Sequence, residues 1–321
     1  MIIKEEIRWK GAPILLDAVR VNHQTFLVYG NLIKTASLKK EWQEDIDNPD
    51  DVLRALKNSP ARIDLLKFWQ RIPETAPKYP YYKEWRNVAV IPVSTFEQWW
   101  QKQISPKARN KVRKAQKMGV VVKQVSLDDE LIHGIMGVFN DSPVRRGKPF
   151  WHYGKDFTTV KNELSADLKE CVFIGAYYEK ELIGFVKFIV TDRYAMTSLI
   201  LDKQSHRNKA PMNGMIAKVV EICAENKIPY FTYTVWRRGD HGHFQESNGF
   251  IKIPVPEYFV PLTLRGELAL RVGLHKGIKG ALPEKVMVWL LAMRSKWYSL
   301  KYAQRIRSRL TERKSVTISS L

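Results

Sequence analysis

The chain has 321 residues, 45% hydrophobic and 27% charged, a globular balance that excludes an extended disordered protein. Its 53 Lys and Arg against 33 Asp and Glu give a formal charge of +20, so the expected partner is an anion: nucleic acid, acidic lipid or a phosphate-bearing co-substrate. No run of 18 apolar residues exists, which argues against a membrane-spanning helix. MIIKEEIRWKG lacks the apolar segment of a signal peptide, and Cys171 and Cys223 sit in apolar runs; both points predict a cytoplasmic protein with reduced core cysteines.

In chain order, AVRVNHQTFLVYG reads as a strand or hairpin arm, and NPDDVLRALKNS as a helix capped by Asn48 or Asp50. RIDLLKFWQRI fits a strand or a short helix equally. PETAPKYPYYKEW is a proline-rich connector and NVAVIPV a buried strand. TFEQWWQKQISPKARNKVRKAQKMG predicts a helix, a break at Pro106 and a second helix ended by Gly119. Eight basic residues and no acidic one lie from Lys102 to Lys123, with Arg109, Arg113 and Lys117 on one helical face. A solvated face and an anion-binding face both fit.

From residue 120 the pattern predicts β-α-α-β-β-β-α-β-α-β. The elements are VVVKQV, LDDELIHGIMGVFNDS, FTTVKNELSA, a hairpin turning at Glu179-Lys180, YAMTSLILD, APMNGMIAKVVEICAENK, YFTYTVW, DHGHFQESN ended by Gly249, and FIKIPVPEYFVPLT as a strand pair or extended arm. Between the two helices lies SPVRRGKPFWHYGKDF, irregular, basic and aromatic. From Leu264 the chain turns strongly basic: residues 265–321 hold thirteen Lys and Arg and three Glu. There, Trp289, Leu290, Met293, Trp297 and Leu300 recur at helical spacing. That helix suits either the protein's own core or an anionic lipid surface.

Two stretches carry chemistry. LILDKQSHRNKAPMNG runs strand, basic loop, helix start; a helix N-terminus offers unpaired N–H groups to an anion, and His206, Arg207, Asn208 and Lys209 add polar and cationic groups. GDHGHFQE offers Asp240, His241, His243 and Glu246 near the end of a central strand, and His152 is a further candidate base. A metal site at these histidines lacks a second His or Cys cluster.

The segment from Phe173 to Phe250 resembles the GNAT acyltransferase core, through IGFVKF, MTSLILD, the basic loop-to-helix turn and FQESNGF with Phe244, Gly249 and Phe250. The wider layout, roughly residues 10 to 275, is similar to the Fem-like (FemAB-related) peptidoglycan and polysaccharide aminoacyl- or acyltransferases. KARNKVRKAQKMGVVVKQV matches the helix and strand that open their second half. The resemblance implies an α/β fold: a degenerate GNAT-like lobe (1–104), an acyltransferase core with a central mixed sheet (105–263) and a basic helical tail (264–321). It implies acyl-CoA or aminoacyl-tRNA as a transient donor and no tightly bound cofactor. Transfer would be to an amine or hydroxyl of a cell-envelope glycan precursor, at the inner face of the membrane, with no DNA partner.

By the same resemblance, the donor would lie against Leu199, Leu201, His206, Arg207, Asn208, Lys209, Asn213 and Gly214. From their own chemistry rather than the resemblance, His152, Asp240, His243 and Glu246 are the candidates for acid–base work. The acceptor would meet Arg145, Arg146, Lys148, Trp151, Tyr153, Lys155 and Trp236. Two departures stand out: Ala210 and Pro211 precede the single Gly214 of the phosphate loop, and Gln245 stands where many GNAT enzymes have a tyrosine acid. A non-catalytic protein on the same fold, binding tRNA or a membrane surface, is the alternative.

Overall fold

The structure is a computed structural model that describes residues 2–9, 12–46, 48–145, 147–166, 168–276, 289 and 293. The chain begins with four antiparallel-linked strands, β1 (Ile2–Trp9), β2 (Ala12–Val21), β3 (Gln24–Tyr29) and β4 (Thr35–Leu38). Helix α1 (Pro49–Lys57) follows, capped by Asn48, whose side chain accepts from the Asp50 and Asp51 N–H groups. β5 (Leu65–Trp69) settles the ambiguous RIDLLKFWQRI as a strand, because both faces of LLKFW are packed. β6 (Lys83–Pro92) comes next, then α2 (Phe96–Gln98), which runs on as a π-turn to Gln103. α3 (Pro106–Lys117) starts where the proline requires, with the Ser105 hydroxyl accepting the Ala108 N–H.

The second half is β7 (Val121–Val125), α4 (Asp129–Asn140), the small hairpin β8 (Val144–Arg145) and β9 (Lys148–Pro149), and α5 (Phe157–Ser165). After it come β10 (Cys171–Tyr178), β11 (Glu181–Val190) and β12 (Ala195–Asp202). The β10–β11 turn is tight because Glu179 and Lys180 both take positive φ, as a two-residue turn needs. Then follow α6 (Pro211–Glu225), β13 (Tyr230–Val235), α7 (Asp240–Ser247), β14 (Ile251–Pro261) and α8 (Leu264–Arg271). Of the two readings of FIKIPVPEYFVPLT, a strand pair or an extended arm, the structure has one long strand, β14. The tail helix predicted over 284–310 lies outside the described residues except for Trp289 and Met293, both helical.

Twelve strands form one mixed sheet among the described residues, in the order β1-β2-β3-β4-β5-β14-β6-β13-β12-β11-β10-β7. The sheet runs on across residue 104. β6, from the first hundred residues, is flanked by β13 and β14, while β14 lies between β5 and β6. Helices α3 and α6 cover one face of the second half through Val112, Met215, Ile216, Val219 and Val220, against Ile174, Val186 and Phe188. On the other face, Leu131, Ile135, Phe139, Val160 and Leu164 of α4 and α5 pack on Phe173 and Phe185. Each fully buried phenylalanine contributes roughly 2–3 kcal/mol of transfer free energy to this three-layer core.

A further junction ties the lobes. Arg71, 3% exposed, donates to Asp45 (3.1 Å) and Asp192 (2.9 Å), and Arg193 reaches Asp45 at 2.6 Å. Asp45 follows β4, Arg71 follows β5 and Asp192 lies in the β11–β12 turn, so the ions join elements distant in sequence.

Candidate active site

β12 and β13 are neighbouring parallel strands that pair over two residues only, Ala195 with Phe231 and Met196 with Thr232. Beyond this fork they part. Each deviates locally: β12 shifts register against β11 at Lys187/Phe188, and β13 shifts against β6 between Thr232 and Val235. Thr234 takes φ +62, costly for a β-branched residue, and its N–H is held by the Thr232 hydroxyl at 3.0 Å. The Thr197 hydroxyl, buried just past the last β12–β13 pair, has no hydrogen-bond partner among the described residues.

A cleft of about 810 Å³ opens there. Its walls are Ile200, Leu201 and Asp202 of β12, Tyr233 of β13, residues 210–213 at the start of α6, and Asp240, His241 and Phe244 of α7. Lys111 of α3, Arg145, Phe150, Arg207 and Arg238 complete it. The basic loop is a short 3-10 helix, Gln204–Lys209, and Ala210 turns through φ +55 into Pro211. No side chain caps α6, so its first N–H groups keep their capacity for an anion.

Of the residues expected to meet the donor, Leu201, Arg207 and Asn213 line the cleft. Asn213, 4% exposed, donates to Asn248 Oδ1 at 2.9 Å and thereby ties α6 to the end of α7. The others are engaged elsewhere. Leu199 packs with the α4–α5 layer. His206 lies 3.5 Å from Glu181, Lys209 sits over the Tyr178 ring, and Asn208 is exposed. Gly214 serves packing: an added Cβ would stand 3.2 Å from Val122 and 3.9 Å from Ala115, so the glycine lets α6 approach β7 and α3.

Of the expected acid–base groups, Asp240 lines the cleft beside His241. His243 is exposed on α7, and Glu246 lines a separate groove with Trp236, Lys102 and Lys252. His152 is a correction: it is 3% exposed, stacked on Phe139 at 4.2 Å and on Trp151 at 3.4 Å, and does not line the cleft. Burial, with Lys155 and Arg145 adding positive charge nearby, pushes its pKa down to about 3. Its neutral form is therefore built into the fold. The unfolded imidazole titrates near 6.5, so His152 favours the native state above that pH and ceases to as pH falls toward 3. In His152→Phe, urea midpoints should be less acid-sensitive between these limits, with donor binding unchanged.

Arg145 is a cleft cation fixed by the Asp202 carbonyl (2.7 Å) and the Val138 carbonyl (3.2 Å), its guanidinium 4.6 Å from the centre of the Phe150 ring. Lys155 pairs with Glu163 at 2.6 Å and covers Trp151, which with Tyr153 is about half exposed. Lys148 is exposed, and Arg146 lies outside the described residues. Gln245 is fully buried, accepting the Arg237 N–H at 2.8 Å and donating to the Val235 carbonyl; it clamps the β13–α7 turn and does not face the cleft. Sequence reasoning missed Asp202. It is 6% exposed on the cleft wall, with Arg207 at 3.4 Å and Arg145 at 3.9 Å. Burial raises its pKa, against the pull of Arg207 and Arg145. Its position at the end of an apolar strand before a basic loop is the signal that could have found it.

No sequence-family profile matches the chain, and no curated protein matches it in sequence. Solved structures do match in fold. One is the C-terminal domain (DUF2156) of an Agrobacterium fabrum protein provisionally named a lysylphosphatidylglycerol synthetase, at TM-score 0.54 and 10% identity over 80% of this chain and 87% of that one. FemX matches at TM-score 0.54 and 9% identity over 84% and 90%. L-PGS from Bacillus licheniformis matches at 0.51 and 12% over 73% and 80%. The chain therefore shares the fold of these three structures, FemX among them, as the Fem-like resemblance implied.

Proposed function

We propose that this chain is an acyl- or aminoacyltransferase that binds an anionic donor, acyl-CoA or aminoacyl-tRNA, in the cleft where β12 and β13 part. The observation that carries the reading is that fork: among the described residues its β12 edge has no strand partner beyond Met196, and four cationic side chains line the cleft it opens. Lys111, Arg145, Arg207 and Arg238 suit the donor's phosphates, assisted by the start of α6. The apolar walls at Ile200, Leu201, Met212 and Phe244 keep water from the ester or thioester.

The acceptor's nitrogen or oxygen attacks the donor carbonyl, forming the new C–N or C–O bond. The oxyanion that develops is met by N–H groups of the unpaired β12 edge. Collapse breaks the C–O or C–S bond, and the leaving group carries off the electron pair. Asp240, exposed on the cleft wall, receives the acceptor's proton and returns it to the leaving group. The acceptor enters past Phe150, with Trp151 and Tyr153 offering ring faces to a sugar of a cell-envelope glycan precursor. In this reading the enzyme works at the inner face of the membrane.

The test is a transfer assay pairing each donor class with soluble amine and hydroxyl sugars, on wild type and Asp240→Asn. Transfer that falls roughly 10²-fold in the variant, at unchanged donor affinity, supports the assignment. Donor binding without any transfer favours the alternative of a non-catalytic polyanion-binding protein on the same fold.

A further inference from the structure

Helix α8 is amphipathic in an inverted sense. Its small residues face the protein: Gly266 and Ala269 are buried, and a Cβ at 266 would meet the Asp64 carbonyl oxygen at 2.0 Å. Leu270 is half-buried, but three other large apolar residues face outward. Leu264, Leu268 and Val272, at i, i+4 and i+8 across α8 and its C-cap, are 85%, 60% and 55% exposed. Arg265 and Arg271 border this stripe on either side, Arg271 paired with Glu267 at 2.6 Å, and Lys276 follows it, paired with Glu84 at 2.8 Å. Tyr82, half exposed, has its ring 5.8 Å from that of His275, three residues past the stripe.

We infer that the α8 face docks on the surface of a membrane rich in acidic phospholipid. An apolar stripe edged by arginines has the layout of an interfacial helix. Charge selects this occupant over the others. Residues 277–321, which follow in sequence, add ten Lys and Arg and only two Glu, so the charge of the chain favours an acidic surface over a neutral one. A second copy would bring the same positive charge against itself, and three side chains fall far short of the roughly 800 Å² per partner of a stable dimer. Leu and Val offer nothing to nucleic-acid bases that the arginines alone would not.

The topology gives this face a role. β13 and β14 both run antiparallel to β6, and β12 runs parallel to β13, so β12, β13 and β14 all end on the same side of the sheet. α8 leaves the end of β14 at the side where the cleft opens. Docked through α8, the protein holds its cleft close to the lipid surface, within reach of a lipid-borne acceptor; this last step rests on the proposed transferase reading, while the docking itself does not.

The test is flotation of the full chain with phosphatidylcholine vesicles, with and without about one-third phosphatidylglycerol. Wild type should float with the acidic vesicles only. L264Q/L268Q/V272Q, which leaves every charge in place on an already exposed face, should bind at least tenfold more weakly with an unchanged melting temperature, and L268F should bind as wild type. Equal flotation of the triple variant would overturn the proposal by assigning the binding to the basic tail alone. So would failure of wild type to float, or a dimer in solution that the triple variant abolishes. Donor transfer to a soluble acceptor, measured in the same variants, should be unchanged; loss of transfer in wild type with flotation intact would defeat the transferase reading and leave the docking standing.

Discussion

Replacing Asp45 and Asp192 together by asparagine should cost about 3–5 kcal/mol of stability, whereas Arg71→Met should cost only about 1–2 kcal/mol. The asymmetry follows from which partner reaches water. The Arg71 side chain is 4% exposed, those of Asp45 and Asp192 32% and 59%. Without the carboxylates, a buried guanidinium stays charged and uncompensated. Without the guanidinium, both carboxylates simply hydrate. Arg71 also holds the Asp192 carboxyl below the usual carboxylate range. That contribution is present above the ordinary value of about 4 and is lost as pH falls through the lowered folded value. Urea midpoints of the two variants between neutral and acid pH read both effects. Equal losses would mean that Arg71 is held by packing against Tyr194 and not by its ions.

The second large effect concerns the donor. The double reversal Lys111→Glu with Arg207→Glu should weaken donor binding roughly 10²–10³-fold, because each charged hydrogen bond to a phosphate is worth about 1.5–3 kcal/mol and repulsion adds to its loss. Both side chains are exposed at the cleft, so the fold should survive. The charge control is Lys117→Glu, on α3 but not on the cleft wall, which should change affinity only at low salt. Titration of acyl-CoA and aminoacyl-tRNA against the three proteins checks this. A weakening by Lys117→Glu as large as that of the double variant would reduce the cleft's role to the general field of a basic protein.

Much of the fold was legible because it is written locally. Asn48, Ser105-Pro106, Glu179-Lys180 and the apolar run of α6 each dictate a cap, a start, a turn or a buried helix from their own chemistry. What was not legible is long-range. Nothing in KEWRNVAVIP says that it will sit between strands more than 135 residues later in the chain, and no local pattern announces that IKIPVPEYFVP inserts beside β5. The site divides in the same way. Arg207, Asn213 and Asp240 were found because they stand at a helix start or a strand end, where cleft walls form. Lys111, Tyr233 and Phe244 reach the cleft only through the packing of α3, β13 and α7. His152 misled because a basic, aromatic loop reads as surface, whereas the ring stacks on Phe139, thirteen residues earlier. Gly214 misled because a glycine that admits a helix looks the same in sequence as one that admits a ligand.

Amide hydrogen exchange of the full chain, with and without acyl-CoA or aminoacyl-tRNA, tests most directly whether the fork between β12 and β13 is the donor site. The account predicts that the donor protects amides in 198–202, 212–214 and 240–244, while those of the sheet edge at 121–125 are unaffected. Donor-dependent protection that avoids these segments, or its concentration on the groove at Trp236 and Glu246, would contradict it.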